Sequence, residues 1–146
     1  MELPCRAFLL SMEDGYIALN IDKIYEDKTA RAIGIGREFT GTLEARVGCC
    51  AVREDALEAC VSSLVRFRDM LEKMLAGGES AAEYKSYYDE RLSLSVSFCP
   101  DGSVQLKGRF AIDWNGNELH FCRRTTKDAL GETLKTLNLC FTALNE

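Results

Sequence analysis

Histidine occurs once in 146 residues, tryptophan once and proline twice. A single imidazole, His120, rules out a histidine-based metal cage built within one chain. It also leaves any general base served by Asp113 or Glu118 without an obvious nucleophile. No G-x-x-x-x-G-K-[ST] run is present. The glycines of GIGREFTG (34–41) precede a strand-like stretch rather than a helix, so they suit a turn or bulge better than a phosphate. No C-x-x-C exists either, although the chain has seven cysteines. No apolar run approaches the length of about eighteen residues that a bilayer demands. Positive charge is the scarcer sign, with 18 Lys and Arg against 23 Asp and Glu and a formal net charge of −5. No basic stripe with interleaved aromatics stands out, so nucleic acid is not expected as a ligand.

What is present is an ordinary globular balance, 47% hydrophobic and 28% charged, sufficient for one domain over residues 1–146 with a single core. The opening MELPCRAFLL begins with an acid and carries only a short apolar run, unlike a secretory signal. Seven irregularly spaced cysteines suit a reducing compartment better than a disulfide framework. A cytoplasmic address is the expectation.

Periodicity divides the chain. Residues 5–52 read as strands. A hairpin around Glu13-Asp14-Gly15 would place Leu9 opposite Leu19 and Ala7 opposite Ile21, and Ile33 and Ile35 would share a face. GTLEARVGCCAV alternates as one strand, with Cys49 inward and Cys50 outward. From residue 55 the spacing changes: Leu57, Cys60, Leu64, Phe67, Leu71 and Met74 form one helical stripe, with Asp55 and Glu58 as a capping box and Gly77-Gly78 as its stop. AEYKSYY fits a strand, and LSLSVSF reads clearly as one. With Pro100-Asp101-Gly102 as the turn, Phe98 faces Val104, Val96 Leu106, Leu94 Gly108 and Leu92 Phe110. Asn115-Gly116 predicts a tight hairpin that pairs Ile112 with Leu119 and Phe110 with Phe121. A threonine-capped final helix carries Leu130, Leu134, Leu137, Phe141 and Leu144.

One-sided strands and one-sided helices need each other. The expected fold is therefore α+β: a mainly antiparallel sheet of about seven to eight strands in meanders, with one long central helix and one C-terminal helix on one face. A sheet curved around the long helix is a close variant. The rough echo of a meander followed by a helix hints at two similar halves.

Cys49 and Cys60 fit as core filler and Cys140 lies near the edge of the last stripe, whereas Cys50 and Cys122 fall on outward positions where a reactive thiol is conceivable. Carboxylate pairs such as Glu13-Asp14 fall in turns, where solvation is the ordinary explanation. Arg123-Arg124, just before a helix start, could clamp an anion. Tyr84, Tyr87 and Tyr88 cluster as a partner-binding surface would. No catalytic, metal or cofactor-binding residue is expected, and neither is an enzyme.

The segments DALEACVSSLVRFRDML, YKSYYDERLSLSVSFCPDGSVQLKGRFAI, NELHFC and DALGETLKTL resemble, in element order, the uncharacterised bacterial proteins related to WapI-type immunity proteins. The likeness runs from GTLEARV to the end. Trp114 is the sole tryptophan, where many such relatives carry tryptophans after the long helix. The resemblance implies a cytoplasmic, non-catalytic protein that binds and masks a protein partner, a toxin domain. Net acidity would then favour a basic toxin surface. The alternatives from other classes are a small-ligand module with a tyrosine-lined pocket between sheet and long helix, and a structural homo-oligomer that pairs open sheet edges.

Overall fold

A computed structural model describes residues 2–26, 36–85, 91–113 and 115–145. Four strands, β1 (Cys5–Met12), β2 (Gly15–Tyr25), β3 (Glu38–Val47) and β4 (Cys50–Cys60), form one antiparallel meander and run into helix α1 (Val61–Leu75). Four more, β5 (Ala81–Lys85), β6 (Leu92–Phe98), β7 (Val104–Ala111) and β8 (Glu118–Thr125), form a second meander that runs into α2 (Lys127–Leu144). The α+β class and antiparallel pairing are as expected; the single sheet of seven to eight strands is not. Two four-stranded sheets stand in its place. The physical reason is that a strongly coiled sheet does not extend indefinitely. Bulges between Arg6 and Phe8, Ile21 and Lys23, and Gly41 and Leu43 curl the first sheet, and α1 then carries the chain away from the β4 edge before β5 begins.

The helices are seated crosswise. α1 packs chiefly on β5 and on α2, whereas α2 packs chiefly on β1. Both sheets and both helices thereby share one core, in which Phe8, Phe67 and Tyr84 meet edge to face with ring centroids 5.8–6.0 Å apart. Between α1 and β5 the Tyr84 ring is thus packed against Phe67 and Phe8.

The two sheets also join at their ends. The β1–β2 turn docks on β8: Glu13 N–H donates to the Arg124 carbonyl (3.0 Å), and Arg124 N–H donates to a Glu13 carboxylate oxygen (3.2 Å). Arg123 Nε donates to both oxygens of Asp14 (2.8 and 3.1 Å), and Thr125 Oγ1 donates to the Ser11 carbonyl (2.6 Å). Arg91 reaches from just before β6 to Glu54 on β4 (3.0 Å).

Several local expectations move. The first hairpin turns on Glu13-Asp14 alone, since Gly15 pairs with Met12, so Leu9 sits opposite Ala18 rather than Leu19, and the bulge then brings Cys5 to Ile21. GTLEARVGCCAV is not one strand. It turns at Gly48-Cys49, Gly48 taking φ +59°, and Val47 pairs with Cys50. Residues 55–60 continue β4, and α1 starts only at Val61 behind Cys60, so Asp55 and Glu58 form no capping box. The end of α1 is as expected, with Gly77 at φ +85° and Gly78 N–H returning to the Lys73 carbonyl at 2.9 Å. Thr126 caps α2 by accepting from Ala129 N–H (3.1 Å). Ile33 and Ile35 lie outside the described residues.

Candidate functional site

The second sheet is built from strict alternation. Leu92, Leu94, Val96, Val104, Leu106 and Phe110 point into the core, so each intervening residue must point out. The register of β6 against β7 is the one read from the sequence, Phe98 to Val104 through Leu92 to Phe110. That of β7 against β8 is shifted, because Asp113 Oδ1 accepts from Asn115 and Asn117 N–H (2.9 and 3.2 Å) and widens the turn. Phe110 accordingly faces Leu119, and Phe121 faces Gly108.

These registers order the outward side chains into rows that cross all four strands. One row holds Ala81, Ser97, Gln105 and Arg124; the next Glu83, Ser95, Lys107 and Cys122; the third Lys85, Ser93, Arg109 and His120. A line of serines therefore runs down β6, flanked by Lys85, Lys107, Arg109 and Arg124, with Glu83 in the second row, Glu118 opposite Ala111 and Asp101 near Arg124 as acids among the described residues. In a chain of net charge −5 this face is locally basic.

The charges are not all spent. Glu118 binds Arg109 (2.6 Å) and the His120 ring (2.7 Å), which holds its carboxyl below the ordinary range, Arg109 being the larger cause. Lys85 and Glu83 stand 4.0 Å apart. Lys107 and Arg124 form no ion pair among the described residues. Beside them a hollow of about 150 Å³ is lined by Lys85, Leu92, Ser93 and Arg109. The outer face of the first sheet differs. There Arg53 is held by Glu44 (2.7 Å) and Asp55 (3.2 Å), and Asp22 accepts from Thr42 (2.6 Å), so acids and bases are interspersed.

The residues singled out from sequence fare unequally. Tyr84 is fully buried, a core residue rather than a contact surface, because it faces inward opposite Leu94. Tyr87 and Tyr88 lie outside the described residues. Arg123 and Arg124 cannot act as a twin clamp, since neighbours on a strand point to opposite sides: Arg123 turns toward Asp14 and ties the two sheets, while Arg124 belongs to the outer face. Cys60 and Cys140 are buried, but Cys49 is exposed with Cys50 at the β3–β4 turn, not in the core. Cys122 is exposed on the β8 edge of the basic face, opposite Lys107. His120 is solvated and paired with Glu118. Among the described residues no cluster of three His, Cys, Asp or Glu side chains could hold a metal ion, and no helix is long and apolar enough to cross a membrane.

Sequence reasoning passed over Lys85, Lys107 and Arg109. For Lys107 and Arg109 the signal is the parity of VQLKGRFA, whose outward positions strand pairing gathers beside Lys85.

No family model and no curated protein matches the chain. Among solved structures it is similar to the Trypanosoma brucei MRP1/MRP2 proteins, at 14% identity and a TM-score of 0.44, over 99% of this chain and 86% of that one. It is also similar to the plant transcriptional regulator PBF-2, at 13% identity and a TM-score of 0.48, over 99% and 88% of the two chains.

Proposed function

We propose that this protein is a non-catalytic binding protein that docks an acidic protein partner on the outer face of its second sheet. The observation that supports this is the lattice of Lys85, Lys107, Arg109 and Arg124 around Ser93, Ser95 and Ser97, on a sheet whose other face is sealed into the core. Small serines let a partner approach closely, and cations not committed to internal pairs are available to steer it. Local charge replaces net charge as the guide here, so the partner surface is acidic where the chain's overall balance implied a basic one. Among the described residues the His120 imidazole is the one aromatic ring in the three rows, and with so few stacking platforms the face is poorly equipped for single-stranded nucleic acid. A cognate toxin domain is the partner implied by the likeness to immunity proteins, and masking one by occlusion requires no bond-making residue. Edge pairing between copies is disfavoured at β4, where Arg53, Glu54 and Asp55 precede Ala56 at φ +59°.

The test compares wild type with Lys107→Glu/Arg124→Glu as bait in lysate of the native host, with Arg46→Glu on the other sheet as control. The expected result is an acidic protein retained by wild type and control, released by raised salt, and lost from the double variant. A partner indifferent to Lys107 and Arg124, or tighter binding of a single-stranded oligonucleotide through the same residues, overturns the reading.

A further inference from the structure

At the opposite side of the molecule, where β1 begins under the last turns of α2, the sulfurs of Cys5 and Cys140 lie 3.9 Å apart. They are separated by 135 positions in the chain, so no spacing rule marks them as a pair. The contact arises because α2 seats on β1. Cys140 is 3% exposed and Cys5 is half-buried with a side open to solvent. Both are free thiols.

We infer that Cys5 and Cys140 are an oxidisable pair, which hydrogen peroxide converts into a disulfide fastening the first strand to the last helix. Cys5 is the thiol that a peroxide reaches. Its sulfur, after losing its proton to water, attacks one peroxide oxygen; the O–O bond breaks, and Cys5 becomes a sulfenic acid as the first water leaves. The Cys140 sulfur then attacks the Cys5 sulfur. The S–S bond forms, the S–O bond breaks, and the hydroxyl departs as a second water with the Cys140 proton. Two thiols have lost two protons and two electrons, and the peroxide has been reduced to two waters.

The order of events follows from the surroundings. Burial, with the neighbouring Cys5 thiol adding to it, pushes the Cys140 thiol up to about 12, so Cys140 holds its proton and does not compete as the first nucleophile. It acts instead as the resolving thiol, because its sulfur already lies 3.9 Å from Cys5 and its proton passes to the departing hydroxyl as the S–S bond forms. Closing the contact to an S–S bond of about 2.05 Å requires roughly 2 Å of approach, which the terminal strand and the helix can share by side-chain rotation.

The experiment treats the folded full-length protein with one equivalent of hydrogen peroxide, quenches it, alkylates under denaturing conditions without reductant, and maps the peptides. The expected product is a Cys5–Cys140 linked peptide two hydrogens lighter than its reduced parts, with an upward shift in Tm that dithiothreitol reverses. In Cys140→Ser, the Cys5 sulfenic acid should persist and be trapped by dimedone, as it is not in wild type. Should that variant fail to fold, the linked peptide of wild type still decides. Alkylated Cys5 and Cys140 after treatment, or a linkage joining other cysteines, overturns the assignment.

Discussion

Gly108 shows how one residue sets the geometry of a sheet. Phe121 lies across it from β8, and a Cβ at position 108 would stand 2.0 Å from the ring's Cζ. Gly108→Ala should therefore displace a largely buried ring and lower unfolding free energy by about 1–3 kcal/mol, measured by urea denaturation. Combined with Phe121→Ala, its effect should be much less than additive. Glu118 makes a different prediction. Its folded-state pKa is depressed by Arg109 and His120 below the ordinary 4.5, so its stabilisation is present above that pH and lost as pH falls through the depressed value. The gap in urea midpoint between wild type and Glu118→Gln should accordingly shrink on acidification below 4.5, and a gap that widens would contradict the pairing. At this scale the sequence was informative wherever parity alone decides, as at Leu94 and Val96. It was uninformative at Tyr84, whose inward position depends on the register of β5, and at the Cys5–Cys140 contact, which exists only in three dimensions.

Elements were legible in proportion to how many signals agreed. LSLSVSF and VQLKGRFA had alternation, a Pro-Asp-Gly turn and mutual inward pairing, and their register stands. α2 had a cap and a stripe; Thr126→Ala should cost about 1 kcal/mol, seen in thermal unfolding. The start of α1 misled because Leu57 satisfies both periods: inward with Ala59 on a strand, and in line with Cys60, Leu64 and Phe67 on a helix. Strand pairing of Leu57 with Gly41 and of Cys60 with Glu38 decides it. The helical stripe that does exist, Leu64, Phe67, Leu71 and Met74, is fully buried. Phe67→Ala removes the ring between Phe8 and Tyr84 and should cost about 3–5 kcal/mol, whereas Leu57 substitutions should act through the β3–β4 pairing and leave the helical signal of α1 in circular dichroism intact.

For the molecule as a whole, the echo of a meander and a helix in each half was readable, but the exchange of helices between halves was not. A stripe states that one face of a helix is covered; it does not name the cover. The same limit hid the basic face, since parity put Lys107 and Arg109 outward without showing that Arg124 and Lys85 would join them. The exposed Cys122 in its second row gives a direct check: attachment of a bulky maleimide there should abolish partner capture, while the same label on Cys49 and Cys50 in a Cys122→Ser background should leave it unchanged. Docking driven by Lys107 and Arg124 should weaken steeply with ionic strength.

The crosswise seating of α1 on β5 and of α2 on β1 also decides whether the halves could stand apart. Half of this chain on its own would be four strands with an oily underside and a helix seated on nothing of its own. Each half therefore roofs the other, and separating them would strip both cores at once.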